Sequence, residues 1–462
     1  MTADLAITNG TLVTENGLLD ADIAIDDGLI AGIGRRDSFE AGRTIDASGN
    51  YVMPGAIDPH THHGIYHSLT SDADTESRSD LVGGVTTIGN FFRRAGAYEE
   101  IMPEYFEIAE KNYRHDYYFS LGLLSYDHIG EVDTIVKDLG ITSFKWYMNY
   151  KYVTPEKFGV DCEMRDDWGD AFIQALVDVD APTTLGYHSE NVEITSALGD
   201  NPYLESETPT NGEYRDYWTL VEQFPDYAEA QSMIAGAALA RQHGYDDSFY
   251  AVHVSAGRTA DELAMLHEAG WSLWGETCTH YLTLTADDCD ERHNVNPPVR
   301  TAEDRETLWG RVADGTISCI GTDHCANLEE SKIGEDVPDS LPGFPSSGTM
   351  LPLILSEGVN EGRISLSRAA KITSVNTAKA WNLHPKKGSL RVGTDADLVV
   401  VDLQETKTVT PELLQSSADY TPYDGKDVTG WPTHTIVNGT VGYEHGEVVA
   451  QPGFGTHIDR PI

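Results

Sequence analysis

Between residues 53 and 385 short apolar runs alternate with stretches whose apolar positions recur every three to four residues. The runs have the length of strands buried on both faces, and the stretches between them have the period of amphipathic helices. That alternation is the texture of βα units around a parallel sheet. Eight strands can be read, at 52–62, 86–91, 117–125, 141–148, 183–190, 250–255, 272–280 and 316–324. Helical stretches at 168–179, 227–242, 259–269 and 302–313 separate several of them. Eight strands with helical crossovers predict an α/β chain closed into a (β/α)8 TIM barrel.

The two chain ends read differently. Short strands are expected at 5–8, 11–14, 21–25 and 29–33, with hairpin turn chemistry in Asn9-Gly10 and Asp27-Gly28. The same texture returns at 398–402 and 435–438, followed by Gly439 and Tyr443. The expected architecture is a barrel over 53–385 and a small β-sandwich domain built from 1–52 and 386–462. Two long segments interrupt the barrel pattern: 191–226, acidic with Pro and Tyr, and 325–348, rich in Pro, Gly and Ser. Loops of that length are expected to cover a site, and both leave from the barrel end where active sites form.

Composition narrows the functions. The 462 residues are 40% hydrophobic, enough for a large core. No apolar run approaches the ~20 residues of a membrane helix, and the start, Met1-Thr2-Ala3-Asp4, lacks a basic then apolar leader. A cytoplasmic location is expected. Acidic residues number 75 against 31 basic, a formal charge of −44 spread along the whole chain. Such a field repels nucleic acid and anionic lipid, so neither is expected as a partner. It also matches adaptation to high salt, where counterions screen self-repulsion. The odd number of cysteines, Cys162, Cys278, Cys289, Cys319 and Cys325, contains no C-x-x-C pair and reads as reduced thiols.

The chemistry collects at the strand ends. His60 and His62 lie two apart on the first strand, so their imidazoles share a face and could chelate a borderline metal. A polar strand end with solvated imidazoles would give the same spacing. His188, His253 and Asp323 then end the fifth, sixth and eighth strands, where barrel enzymes gather groups from several strands. Four histidines and an aspartate on one rim are hard to explain as separate core residues. Lys145 sits inside the apolar fourth strand. A buried ammonium costs several kcal/mol, so this lysine is paired, deprotonated or modified, unless it snorkels to the rim. The functional reading is a neutral amine that captures carbon dioxide as a carbamate, whose two oxygens could bridge two metal ions.

The chain resembles the hydantoinase/dihydropyrimidinase group of cyclic amidohydrolases over nearly its full length. The resemblance rests on Met53-Pro54-Gly55-Ala56-Ile57-Asp58-Pro59-His60-Thr61-His62, Gly83-Gly84-Val85-Thr86-Thr87 and Thr142-Ser143-Phe144-Lys145. It continues through Val252-His253-Val254-Ser255, Glu276-Thr277-Cys278-Thr279-His280-Tyr281-Leu282 and Gly393-Thr394-Asp395-Ala396-Asp397-Leu398. It implies two divalent metals, usually zinc, with His60, His62 and Asp323 at one, His188 and His253 at the other, and carbamylated Lys145 between them. It also implies metal-assisted hydrolysis of a small cyclic amide or ureide, with a bridging hydroxide as nucleophile. Asp323 would act as general base then acid, and Tyr150 as donor to the developing oxyanion. A buried barrel tyrosine is the plain alternative for Tyr150.

Tyr150-Lys151 favours the hydantoinase branch over allantoinases. Gly64 stands where dihydroorotases carry an arginine for the substrate carboxylate, which disfavours an anionic ring. Two positions depart from the family pattern. Asn296 replaces a usual serine and would reach the ring through its backbone, and the 338–343 loop shows no counterpart of the asparagine that reads the other side of the ureide. Family members form homodimers or homotetramers. An allantoinase or dihydroorotase-like enzyme is the neighbouring reading. A non-catalytic assembly protein on the same scaffold is the distant one, since such relatives have lost ligands that are all present here.

Overall fold

The computed structural model describes residues 2–153, 159–160, 162–199 and 214–460. Eight parallel strands run in sequence order: Ala56–Thr61, Val85–Phe92, Asp116–Gly122, Ser143–Tyr147, Thr184–His188, Ser248–Ala251, Trp274–Cys278 and Cys319–Gly321. The eighth closes on the first through a parallel bridge between Thr61 and His324, with His62 N donating to His324 O at 2.7 Å. The sheet is therefore a barrel, with every strand residue buried except Trp274. Its helices include Asp166–Asp178, Asp226–Gln242, Gly257–Glu268 and Ala302–Asp314. No helix among the described residues is long and apolar enough to cross a membrane.

The chain ends form two facing sheets. One has four strands, Leu29–Gly34, Asp22–Asp26, Thr2–Thr8 and Glu40–Asp46 in that order. The other has seven, with Asp427–Val437, Leu398–Thr408, Tyr51–Pro54, Thr11–Thr14 and Gly17–Asp20 as consecutive neighbours. Ile7, Leu12, Ile23, Val52, Leu398 and Ile436 fill the space between them. Asp27 and Gly28 both take positive φ and turn a true hairpin.

Two expectations change. The run 52–62 is not one strand. Tyr51–Pro54 pairs in the sandwich, and the chain breaks at Gly55 before Ala56–Thr61 enters the barrel. A Cβ on Gly55 would lie 2.2 Å from Thr86 Oγ1, so only glycine lets the chain pass from sheet to sheet there. Asn9-Gly10 likewise turns no hairpin. The strands on either side of it belong to different sheets, and Asn9, at φ 63°, makes the crossing.

Candidate metal centre

All six residues expected at a metal site meet at the barrel mouth. His62 Nε2 lies 3.0 Å and His60 Nε2 3.1 Å from Asp323 Oδ1. Lys145 Nζ is 2.7 Å from His60 Nε2, and His253 Nε2 is 2.8 Å from His188 Nδ1. Each comes from a different place on the rim. The first strand supplies His60 and extends to His62, the fourth supplies Lys145, the fifth ends on His188, and His253 and Asp323 lie two residues past the sixth and eighth. His253 (φ 36°) and Asp323 (φ 52°) are held in left-handed backbone, which costs a branched or polar residue about 1 kcal/mol or more. Such strain persists where the surrounding structure enforces it, and here it turns both side chains inward.

The donor set fits a cation. Glu276, on the seventh strand, accepts from His60 Nδ1 at 2.7 Å and from His253 N at 2.9 Å. His60 Nε2 faces a carboxylate oxygen of Asp323. Burial and Lys145 lower His60, but Glu276 and Asp323 outweigh them and raise it above the ordinary imidazole range, so the two carboxylates favour positive charge at this ring. His188 Nε2 lies 3.4 Å from Glu190 Oε2, while its Nδ1 faces His253 Nε2. Burial pulls His62 down to about 3 and holds His188 and His253 below the ordinary imidazole range, so these rings are neutral at neutral pH, the form that could hold a metal. Burial also draws Lys145 down to about 8 against the pull of Asp323 and Glu276. Asp323, buried as well, is nonetheless held well below the usual carboxylate range by His60 and His62.

Glu276 carried no expected role, although it bears the same signal as Lys145: a charge pointing inward from an apolar strand. Gly321 on the eighth strand makes room for it, since a Cβ there would meet Glu276 Cδ at 2.8 Å and His60 Cβ at 3.0 Å. Beneath the centre Asp58 accepts from Thr322 Oγ1 at 2.5 Å and from His60 N at 3.1 Å, fixing the first strand against the loop that bears Asp323. Burial raises Asp58 to about 7.

A cavity of about 530 Å³ opens above the ligands. Tyr150, in the short turn Met148–Tyr150, lines it and stacks on Tyr147 with ring centroids 4.8 Å apart. Burial raises its phenol to about 12, so it keeps its proton and can donate. Asn296 also lines the cavity. Its Nδ2 donates to Glu190 Oε2 at 3.1 Å, while its Oδ1 is buried without a hydrogen-bond partner. The side chain, beyond the backbone contact expected, thus offers an acceptor. The 338–343 loop forms one wall, held from behind by two residues with no expected role. Asn294 Nδ2 donates to Val337 O at 3.0 Å and Ser340 O at 2.6 Å. Buried Lys332 donates to Asn294 O at 2.6 Å, to Gly343 O at 2.9 Å and to Leu341 O. Of the long 191–226 segment, 200–213 lies outside the described residues, and Arg215 reaches the cavity wall.

Known proteins resemble the chain over nearly its whole length. Residues 230–442 match the Amidohydrolase family, and a match to that family implies divalent metal ions. The chain is 31% identical to a D-hydantoinase of Rhizobium radiobacter, covering 99% of both chains. It is also 31% identical to an L-hydantoinase of Paenarthrobacter aurescens, covering 99% of this chain and 98% of that one. The solved dihydropyrimidinase of Brevibacillus agri superposes with a TM-score of 0.88 at 28% identity, covering 98% of each chain. With full-length similarity in sequence and fold, the chain belongs to the hydantoinase/dihydropyrimidinase family of amidohydrolases.

Proposed function

We propose that the protein opens a cyclic amide or ureide ring of the hydantoin or dihydropyrimidine type by metal-assisted hydrolysis. The observation that carries this is the convergence of His60, His62, Lys145, His188, His253 and Asp323 beneath a cavity lined by Tyr150 and Asn296. His60, His62 and Asp323 would hold one divalent ion and His188 and His253 the other. Imidazole with carboxylate suits zinc. Lys145 would join the two sites as a carbamate. Its neutral amine adds to carbon dioxide, an N–C bond forms as one C–O π bond opens, and the amine proton leaves to solvent. The low Lys145 pKa supports this, because only the free amine adds. Bound ions would supply Lewis acidity toward the amide carbonyl and a water acidic enough to react at neutral pH.

The chain's own groups do the rest. Glu276 keeps the Nδ1 proton on His60 and so aims its lone pair at the centre. Asp323 takes the proton of the attacking water and delivers it to the departing ring nitrogen. Tyr150 donates to the carbonyl oxygen as charge develops there. Asn296 Oδ1 accepts from a ring N–H. We take 53–385 as the barrel unit and 1–52 with 386–462 as the sandwich. A salt-rich setting is supported by the charge of −44, a cytoplasmic one by the five free cysteines, and a homo-oligomer by the family.

The test is a ring-opening screen at high salt with metal-loaded enzyme on hydantoins, dihydrouracil, allantoin and dihydroorotate. Hydantoins or dihydrouracil should open, and Asp323→Asn should lower turnover by about 10³-fold or more. Near-normal rates in Asp323→Asn would remove its role, and failure to open any ring would remove the reading.

A further inference from the structure

The cavity wall carries a guanidinium that ring opening does not need. Arg93 directly follows the second barrel strand, Val85–Phe92, and is partly buried. Its Cζ lies 5.5 Å from the Tyr147 ring centroid and 5.3 Å from that of Tyr150, and its Nη1 is 3.4 Å from His62 Nδ1. The group is therefore lodged between a proposed metal ligand and the proposed oxyanion donor, facing the space a substrate would fill. Two other arginines nearby are held by protein groups, Arg215 on the same wall and Arg94 beside Arg93. Arg215 gives Nε and Nη2 to Asp336 at 2.6 and 3.0 Å and Nη2 to Asp339 at 2.8 Å. Arg94 donates to the carbonyls of Arg93 and Gly64 at 2.8 and 2.6 Å.

A guanidinium keeps its charge at any working pH and offers five N–H donors in a fork that matches a carboxylate. Beside divalent ions that charge is repelled, and a substrate anion placed against it relieves the repulsion. We propose that Arg93 selects rings bearing an anionic substituent, a carboxylate on or just off the ring carbon next to the scissile carbonyl. This rests on the ring-opening reading above. The position follows from Tyr150: its phenol serves the scissile carbonyl, and Arg93 lies over its ring. Gly64 removes an arginine from one side of the mouth, and Arg93 supplies one from the neighbouring strand. The acidic protein surface repels such a substrate at a distance, so selection acts at contact.

The experiment compares metal-loaded wild type, R93Q and R93K on 5-(carboxymethyl)hydantoin and its primary amide, which match in size and differ in charge. Wild type should favour the acid over the amide by about tenfold or more in kcat/KM, mainly through KM. R93Q should bring that ratio to about one, and R93K should keep part of it. Metal content and circular dichroism of each variant establish that the site and fold are intact. Wild type opening the amide as well as the acid would overturn the proposal, even if the variants were unstable. So would R93Q slowing both substrates equally, which would assign Arg93 to Tyr150 instead. If neither ring opens, the ring-opening reading itself has failed, a result distinct from both.

Discussion

Two buried lysines occupy opposite ends of the barrel, and their surroundings give them opposite characters. At the mouth, Lys145 Nζ faces an imidazole nitrogen at 2.7 Å and lies 4.4 Å from the Phe91 ring centroid. At the base, Lys387 Nζ lies 2.6 Å from Asp116, 3.0 Å from Asp395 and 2.5 Å from Asp397. Burial opposes the charge of both. For Lys387 the three carboxylates outweigh it and raise the ammonium above its ordinary range, while Lys145 is left at about 8. Asp116, Asp395 and Asp397 stand close enough to bind an ion, and Lys387 already fills that place with its own cation. Asp116 opens the third barrel strand, and Asp397 precedes the sandwich strand Leu398–Thr408. The Lys387 cluster therefore fastens the two units together. Burial alone does not tell a reactive lysine from a structural one; the groups around it do.

Removing each lysine should separate the two roles. Lys145→Ala should lose bound metal and at least about 10³-fold in turnover together while keeping the fold, read by elemental analysis beside the ring-opening assay. Retention of both ions would end the bridging role. Lys387→Met should do the reverse. It strands three buried carboxylates and should destabilise the protein by about 3–5 kcal/mol, while folded enzyme still turns over. An unchanged melting temperature would show that the cluster fastens nothing.

The same variant sharpens the contrast with pH. Asp397 is raised to about 6, by burial first, even with Lys387 present. Without that cation Asp397 rises further above its unfolded value, and Asp116 loses the ammonium that holds it low. A carboxylate raised on folding takes up its proton earlier in the folded state, so stability grows as pH falls. Thermal melts of Lys387→Met should therefore gain on wild type between pH 8 and pH 5, and a gap that widens on acidification would contradict this. The smallest expected effect concerns a third buried lysine. Lys332 holds the 338–343 wall only through carbonyls, and Lys332→Met should raise KM about tenfold with less change in kcat. An unchanged KM would place that wall away from the substrate.

The barrel and its rim were legible because both depend on local pattern. An apolar run of strand length ending in His, Asp or Lys marks a position, and a closed barrel brings such positions together. Features that depend on distant partners were not. Glu276 carries an inward charge as Lys145 does, but its part depends on His60, 216 residues earlier and 2.7 Å away. Lys387 gains its meaning from Asp116, 271 residues earlier. Gly55 breaks a run of continuous apolar pattern because Thr86 lies against it, a neighbour that pattern cannot supply. Asn9-Gly10 has hairpin chemistry, yet its flanking strands pair elsewhere.

Whether the rim donors make a working metal centre is decided by counting divalent ions per chain in wild-type protein, before and after chelation, with ring-opening rates measured on the same samples. About two ions, lost on chelation together with activity and both restored by adding metal back, is the predicted result. Protein that hydrolyses its ring at full rate with no divalent ion bound would contradict it.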